Sequence, residues 1–188
     1  MAVLLRLVCI AALAALAAAA PHTLSAQTRT VMVVADHRDP SSVAADSDIF
    51  RNAYAKIADQ LRRRGLQARA VSEIPSARRL GGKIERNMAL AVEAARNATS
   101  PISVVLGVRI YTTMHRGAKG NSFKLWIDGE ARDVALGKVV ARHEHHSRKR
   151  HDVEKSCGRD CMLERAVETV GATAEAFGAA MAEKLAKR

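Results

Sequence analysis

"VMVVADHRDPSSVAADSDIFRNAYAKIADQLRRRG", residues 31–65, decides the fold. Residues 31–35 are apolar and mostly β-branched, the composition of a short buried strand. The polar, turn-rich segment that follows predicts a loop over 36–48. Asp46 or Ser47 can cap a helix there, because a short side-chain oxygen accepts an orphan backbone N–H. Ile49, Phe50, Ala53, Ile57 and Leu61 then recur at helical spacing. Gly65 suits the left-handed residue after a helix, and Arg62, Arg63 and Arg64 suit the negative end of its dipole.

Working outward, residues 66–72 read as a second strand and Pro75 to Gly82 as a loop. Lys83 to Asn97 reads as a helix with Ile84, Met88, Ala91 and Ala95 on one face. "ISVVLGVRIY", 102–111, is the strongest strand: Val104, Leu106, Val108 and Ile110 line one side, and Val105 and Gly107 predict partial cover on the other. A basic loop over 112–122 leads to "FKLWIDGEARDV", where Phe123, Leu125 and Ile127 alternate with Lys124, Trp126 and Asp128. A turn with Gly137 at positive φ returns the chain as a strand from Val139 to His145. The last helix, about Cys161 to Lys187, carries Leu163, Val167, Val170, Ala174, Phe177, Met181 and Leu185 as its apolar stripe. The order β-α-β-α-β-β-β-α predicts one α/β domain, a mixed sheet with helices packed mainly on one face.

Upstream, Arg6 precedes an apolar run, Leu7 to Ala20, and small residues Ser25 and Ala26 precede Gln27. That arrangement predicts a signal peptide over 1–26 and an exported domain over 27–188. The run is short and Ala-rich for a membrane span. The expected location is the periplasm, with full secretion as the alternative. Export would leave two of the three cysteines, Cys157 and Cys161, and an even pair in an oxidising compartment predicts a disulfide. Their spacing is not that of a redox Cys-x-x-Cys motif.

The 30 Lys and Arg outnumber the 19 Asp and Glu, for a net charge of +11. Such a chain is drawn to anionic partners: an envelope protein complex or an anionic envelope polymer. Nucleic acid is disfavoured, because three Phe, one Trp and two Tyr offer little surface for base stacking.

Two groups of residues carry candidate sites. The loop 36–48 holds Asp36, His37, Arg38, Asp39, Ser41, Ser42 and Asp48 at the carboxyl end of the first strand, where α/β sheets often bind ligands. Asp36, Arg38, Asp39 and Asp48 are candidate partner contacts, together with Arg148, Lys149 and Arg150 in one of two basic segments, 114–119 and 142–151. A small hydrolase would draw on the same loop, but there is no Gly-x-Ser-x-Gly elbow, and "LGGKIE" lacks the spacing of a phosphate loop. The expectation is no catalysis and no required cofactor.

The second group is His143, His145, His146 and His151. Two imidazoles two residues apart on a strand share a side and can chelate zinc or copper. His146 points to the other side, and Arg142, Arg148, Lys149 and Arg150 repel a cation. A solvated basic strand end is the plainer expectation, and metal binding the alternative.

Three stretches resemble a periplasmic α/β family that includes the N-terminal domain of the Tol-system propeller protein, the periplasmic domain of the curli secretion channel and lipoprotein activators of penicillin-binding proteins. They are "VMVVADHRDPSSVAADSDIFRNAYAKIADQL", "ISVVLGVRIY" and the hairpin "FKLWIDGEARDVALGKVVAR", with its Asp-Val-x-x-Gly-x-x-Val turn. The similarity spans most of 30–185. It implies a non-catalytic role, assembling or regulating envelope machinery by protein contacts. Cys9, preceded by Arg6-Leu7-Val8, departs from a lipoprotein attachment motif, so lipid tethering is not implied.

Overall fold

The computed structural model describes residues 29–117, 120–147 and 149–187; the expected signal peptide lies outside them. Strand β1 (Thr30–Ala35) is buried at every position. It is parallel to both neighbours, β2 (Gln67–Ala70) and β3 (Val104–Gly117). Strands β4 (Gly120–Asp133) and β5 (Val139–His146) extend the sheet antiparallel, in the order β2-β1-β3-β4-β5. A short β6 (His151–Val153) pairs with the far end of β4. This is the mixed α/β sheet that the sequence predicts.

Helix α1 (Asp48–Arg63) begins where Ser47 Oγ accepts the Phe50 N–H at 3.2 Å, and all five residues of its predicted stripe are buried. Gly65 follows it at φ +76°. The final helix, α4 (Arg159–Ala186), packs beside α1 on one face of the sheet. Asn52 Nδ2 joins the two by donating to the Val167 carbonyl at 2.7 Å. Their shared core includes Val33, Leu106, Ile110, Phe123, Ile127 and Phe177.

Among the described residues the other face is covered only over β1 and the start of β3. The short α2 (Pro75–Arg78) and α3 (Met88–Arg96) lie there over Met32, Val34 and Val105. Beyond this cover, the second face of β3, β4 and β5 is open.

Four local expectations are corrected. The helix expected from Lys83 begins only at Met88, because Asn87 takes an extended backbone and its side chain accepts the Ala89 N–H. Ile84 is still buried, in a tight turn before it. The loop expected over 75–82 includes α2 and the start of that turn. The basic loop expected over 112–122 is mostly strand: β3 and β4 pair without a break as far as Gly117 opposite Gly120. On α4, Leu163 and Val167 are only partly buried, and Met162 and Ala166 take the core positions in the first turns.

Candidate functional site

The parallel strand β1 ends beside β3, and the loop after it stays against β3. Asp36 N–H donates to the Val108 carbonyl at 2.9 Å and Val43 N–H to that of Ile110 at 2.8 Å. These two anchors bring the acidic loop to the edge of the open sheet face. Asp36 is only 2% exposed. Arg38 clamps it through Nε at 2.7 Å and Nη2 at 2.6 Å, and Arg109 Nη1 stands 3.7 Å away. Burial pushes the Asp36 carboxyl up, but the Arg38 hydrogen bond and the two guanidinium charges outweigh it and hold the group below its usual range.

The loop's hydroxyl and imidazole are also engaged. Ser42 Oγ donates to the Asp39 carbonyl at 2.7 Å and lies 2.8 Å from His37 Nδ1. With its proton committed to a carbonyl, that hydroxyl accepts from His37 instead of being deprotonated by it. Ser42 is 7% exposed, which keeps it from a bulky substrate.

On the open face, cross-strand partners form rows. Gly107, Glu130 and Arg142 make one; Arg109, Asp128 and Glu144 the next; Tyr111, Trp126 and His146 a third. Tyr111 and Trp126 stack with centroids 4.8 Å apart and planes 14° from parallel, and His146 lies 6.1 Å beyond Trp126. Tyr111 Oη donates to Asp39 Oδ2 at 3.0 Å, tying this row to the loop. Burial and that bond push the Tyr111 hydroxyl up to about 12, so it remains a donor at neutral pH. Glu130 is clamped by Arg132 and Arg142 at 2.7 and 2.8 Å. Asp39, Tyr111, Trp126, Asp128 and Glu144 surround a shallow hollow of about 430 Å³.

Of the partner-contact candidates, Asp39 lines this hollow and Asp36 and Arg38 are paired with each other in the same loop. Asp48 stands apart; it sits in the first turn of α1, paired with Arg51. Lys149 and Arg150 line a separate cavity of about 770 Å³ between β6 and the start of α4, and Arg148 lies outside the described residues. The disulfide between Cys157 and Cys161 lines the same cavity, with Cα atoms 5.3 Å apart.

The four histidines are dispersed. His143 and His145 share the helix-covered face, rings 6.2 Å apart, with His143 against Phe177. His143 Nε2 is buried without a hydrogen-bond partner. Burial, then the charges of Lys184 and His145, hold its imidazole below the usual value. His146 is on the opposite face, 2.9 Å from Glu144, and His151 stacks on Phe123. Among the described residues no three His, Cys, Asp or Glu side chains converge as a metal-ligand group.

Arg109, Tyr111 and Trp126 had not been read as site residues from the sequence. The signal was the chain's one tryptophan on the polar phase of an alternating strand.

No protein-family model matches the chain, and no curated protein does. Among solved structures it is similar to the PelC dodecamer from Paraburkholderia phytofirmans, at 16% identity over 80% of this chain and 87% of that one, TM-score 0.43. It is also similar to lipoprotein GNA1162 from Neisseria meningitidis, at 12% identity over 76% and 94%, TM-score 0.47. A third is the hypothetical protein CT253 from Chlamydia trachomatis, at 10% over 81% and 99%, TM-score 0.44. These are loose likenesses of chain path and carry nothing about activity. They do not confirm the Tol, curli or penicillin-binding-protein-activator families.

Proposed function

We propose that the chain is a non-catalytic, exported interaction module of the bacterial cell envelope. Its contact surface is the open half of the sheet with loop 36–48 at its rim. One observation carries this reading: three aromatic rings stand in a row on a sheet face that no helix covers among the described residues. A sheet face left bare in one chain is a surface available to another, and Trp and Tyr are enriched where proteins meet. The chemistry-bearing groups of the loop support binding over turnover, since Asp36 and Ser42 are both spent on internal bonds. Among the described residues no helix is long and apolar enough to cross a membrane. The partner proposed is an envelope protein complex; an anionic envelope polymer is the alternative suggested by the net charge of +11.

The test is crosslinking in intact cells and capture of the tagged chain. The expected result is one reproducible envelope complex, lost when Trp126 on the open face is changed to Glu while the circular dichroism spectrum is unchanged. Recovery of background proteins alone contradicts the proposal.

A second reading has one favouring observation: His143 and His145 sit side by side with His143 Nε2 unpaired. It is a zinc- or copper-binding protein, with His146 and His151 as the further candidate ligands. It predicts near-stoichiometric metal in the purified chain, lost on His143→Ala with His145→Ala. Metal-free protein, or retention in that variant, rejects it.

A further inference from the structure

The hollow on the open face runs against the charge of the chain. Three carboxylates, Asp39, Asp128 and Glu144, face it, and no Lys or Arg is among its lining residues. Asp128 is neutralised from behind by Arg109. Among the described residues neither of the other two forms an ion pair with Lys or Arg. Asp39 is held by the neutral donors Ser41 and Tyr111, and Glu144 pairs with the exposed His146. Between them stand Tyr111 and Trp126, half-buried and stacked. Carboxylates beside aromatic rings make a receptor for a cation, because both the charge and the ring quadrupole attract it. The complementary piece is present in the same sequence. At the far end of β3, His115 and Arg116 are exposed, and Arg116 makes no ion pair among the described residues.

Arg116 cannot turn into the hollow of its own molecule. It lies three residues, about 10 Å, beyond Thr113 at the hollow's near edge, on the opposite phase of β3 from Tyr111 and Thr113, and is fixed in the ladder opposite Asn121. A second molecule has no such restraint. We infer that His115 and Arg116, near the end of β3 of one copy, dock in the acidic, aromatic hollow of another. Arg116 meets Asp39 and Glu144 there and lies against Trp126. The copies share a positive net charge, but its repulsion is screened beyond roughly 8 Å at physiological salt, while this contact acts at hydrogen-bond range. A strand end in a hollow uses two different surfaces, so it is a heterologous contact that closes into a ring or continues as a filament. The inference rests on the open face being a contact surface and names its occupant.

Sedimentation velocity of the full exported chain over a range of concentrations tests it. Wild type is expected to assemble with rising concentration. Arg116→Glu alone and Glu144→Lys alone are expected to sediment as monomers; both positions are exposed, so circular dichroism should be unchanged. An equimolar mixture of the two variants should associate again, because Arg116 of one meets Glu144 of the other. Wild type that stays monomeric, single variants that still assemble, or a mixture that stays monomeric would each overturn the inference. Capture of a different envelope protein in cells by a chain that is monomeric in solution would overturn it while leaving the interaction reading standing.

Discussion

Asp36 is a carboxylate taken almost wholly out of water and kept charged by two guanidinium groups. Such a group is costly to leave alone. Arg38→Ala removes two charge-assisted bonds and is expected to destabilise the fold by about 2 kcal/mol at neutral pH, read from urea unfolding. The pH dependence follows in sign. Asp36 and Glu130 both have folded-state values held below their ordinary ones. A depressed carboxylate contributes stability that is present above its unfolded value and lost as pH falls through the folded one. Wild type should therefore keep this contribution at pH 7 and lose it in the range below about pH 4. The gap between wild type and Arg38→Ala should narrow over the same range. A gap that stays constant to pH 3 would show that the clamp is not what holds the carboxylate low.

At the level of elements, helix α4 sits on the sheet through Phe177, which fills the space left by Gly129 on β4. A Cβ at position 129 would stand 2.4 Å from Phe177 Cζ. Gly129→Ala is expected to cost about 1–3 kcal/mol by forcing that ring aside, with Phe177→Leu in the same chain recovering part of it. No change in melting temperature would mean that the helix is not seated there. The disulfide is a smaller contributor. It closes a short loop across the start of α4, so Cys157→Ser with Cys161→Ser should cost about 2 kcal/mol at most. Amide exchange should loosen in the first turns of α4 and stay protected around Phe177.

The elements also show which parts of the fold can be read locally. β1 and α1 follow from their own residues: a β-branched run, a serine cap and a stripe at helical spacing are local signals. The far half of the β3–β4 hairpin does not follow that way. Residues 112–117 and 120–122 lack a buried alternating face along their whole length and are strand because each pairs with the other across an unbroken register. Thr112 and Thr113 were the available β-branched hint. β6 is three residues long and exists because β4 offers it an edge. Of the candidate site, Asp36, Arg38 and Asp39 were legible as a loop after a parallel strand. Arg109, Tyr111 and Trp126 were not, because they become neighbours of that loop only once β3 and β4 are placed. Asp48 was misleading for the converse reason: it is near the others in sequence, but the helix it begins carries it away.

For the whole molecule, the consequence is an uneven covering of one sheet. Two long helices cover most of one face, and short ones cover part of the other. The remainder is a rigid platform of paired charges and stacked rings. Loop 36–48 is pinned to its rim by backbone bonds to β3, so under the proposed function a partner would meet a surface already formed and lose little in ordering it.

The most direct measurement of this account places a photo-crosslinking amino acid at position 126, on the open face, or at position 55, exposed on α1, and irradiates intact cells. The account predicts discrete crosslinked species from position 126, whether with another copy or with a second envelope protein, and none from position 55. Crosslinks from position 55 with none from position 126 would contradict it and place the contact surface on the helical side.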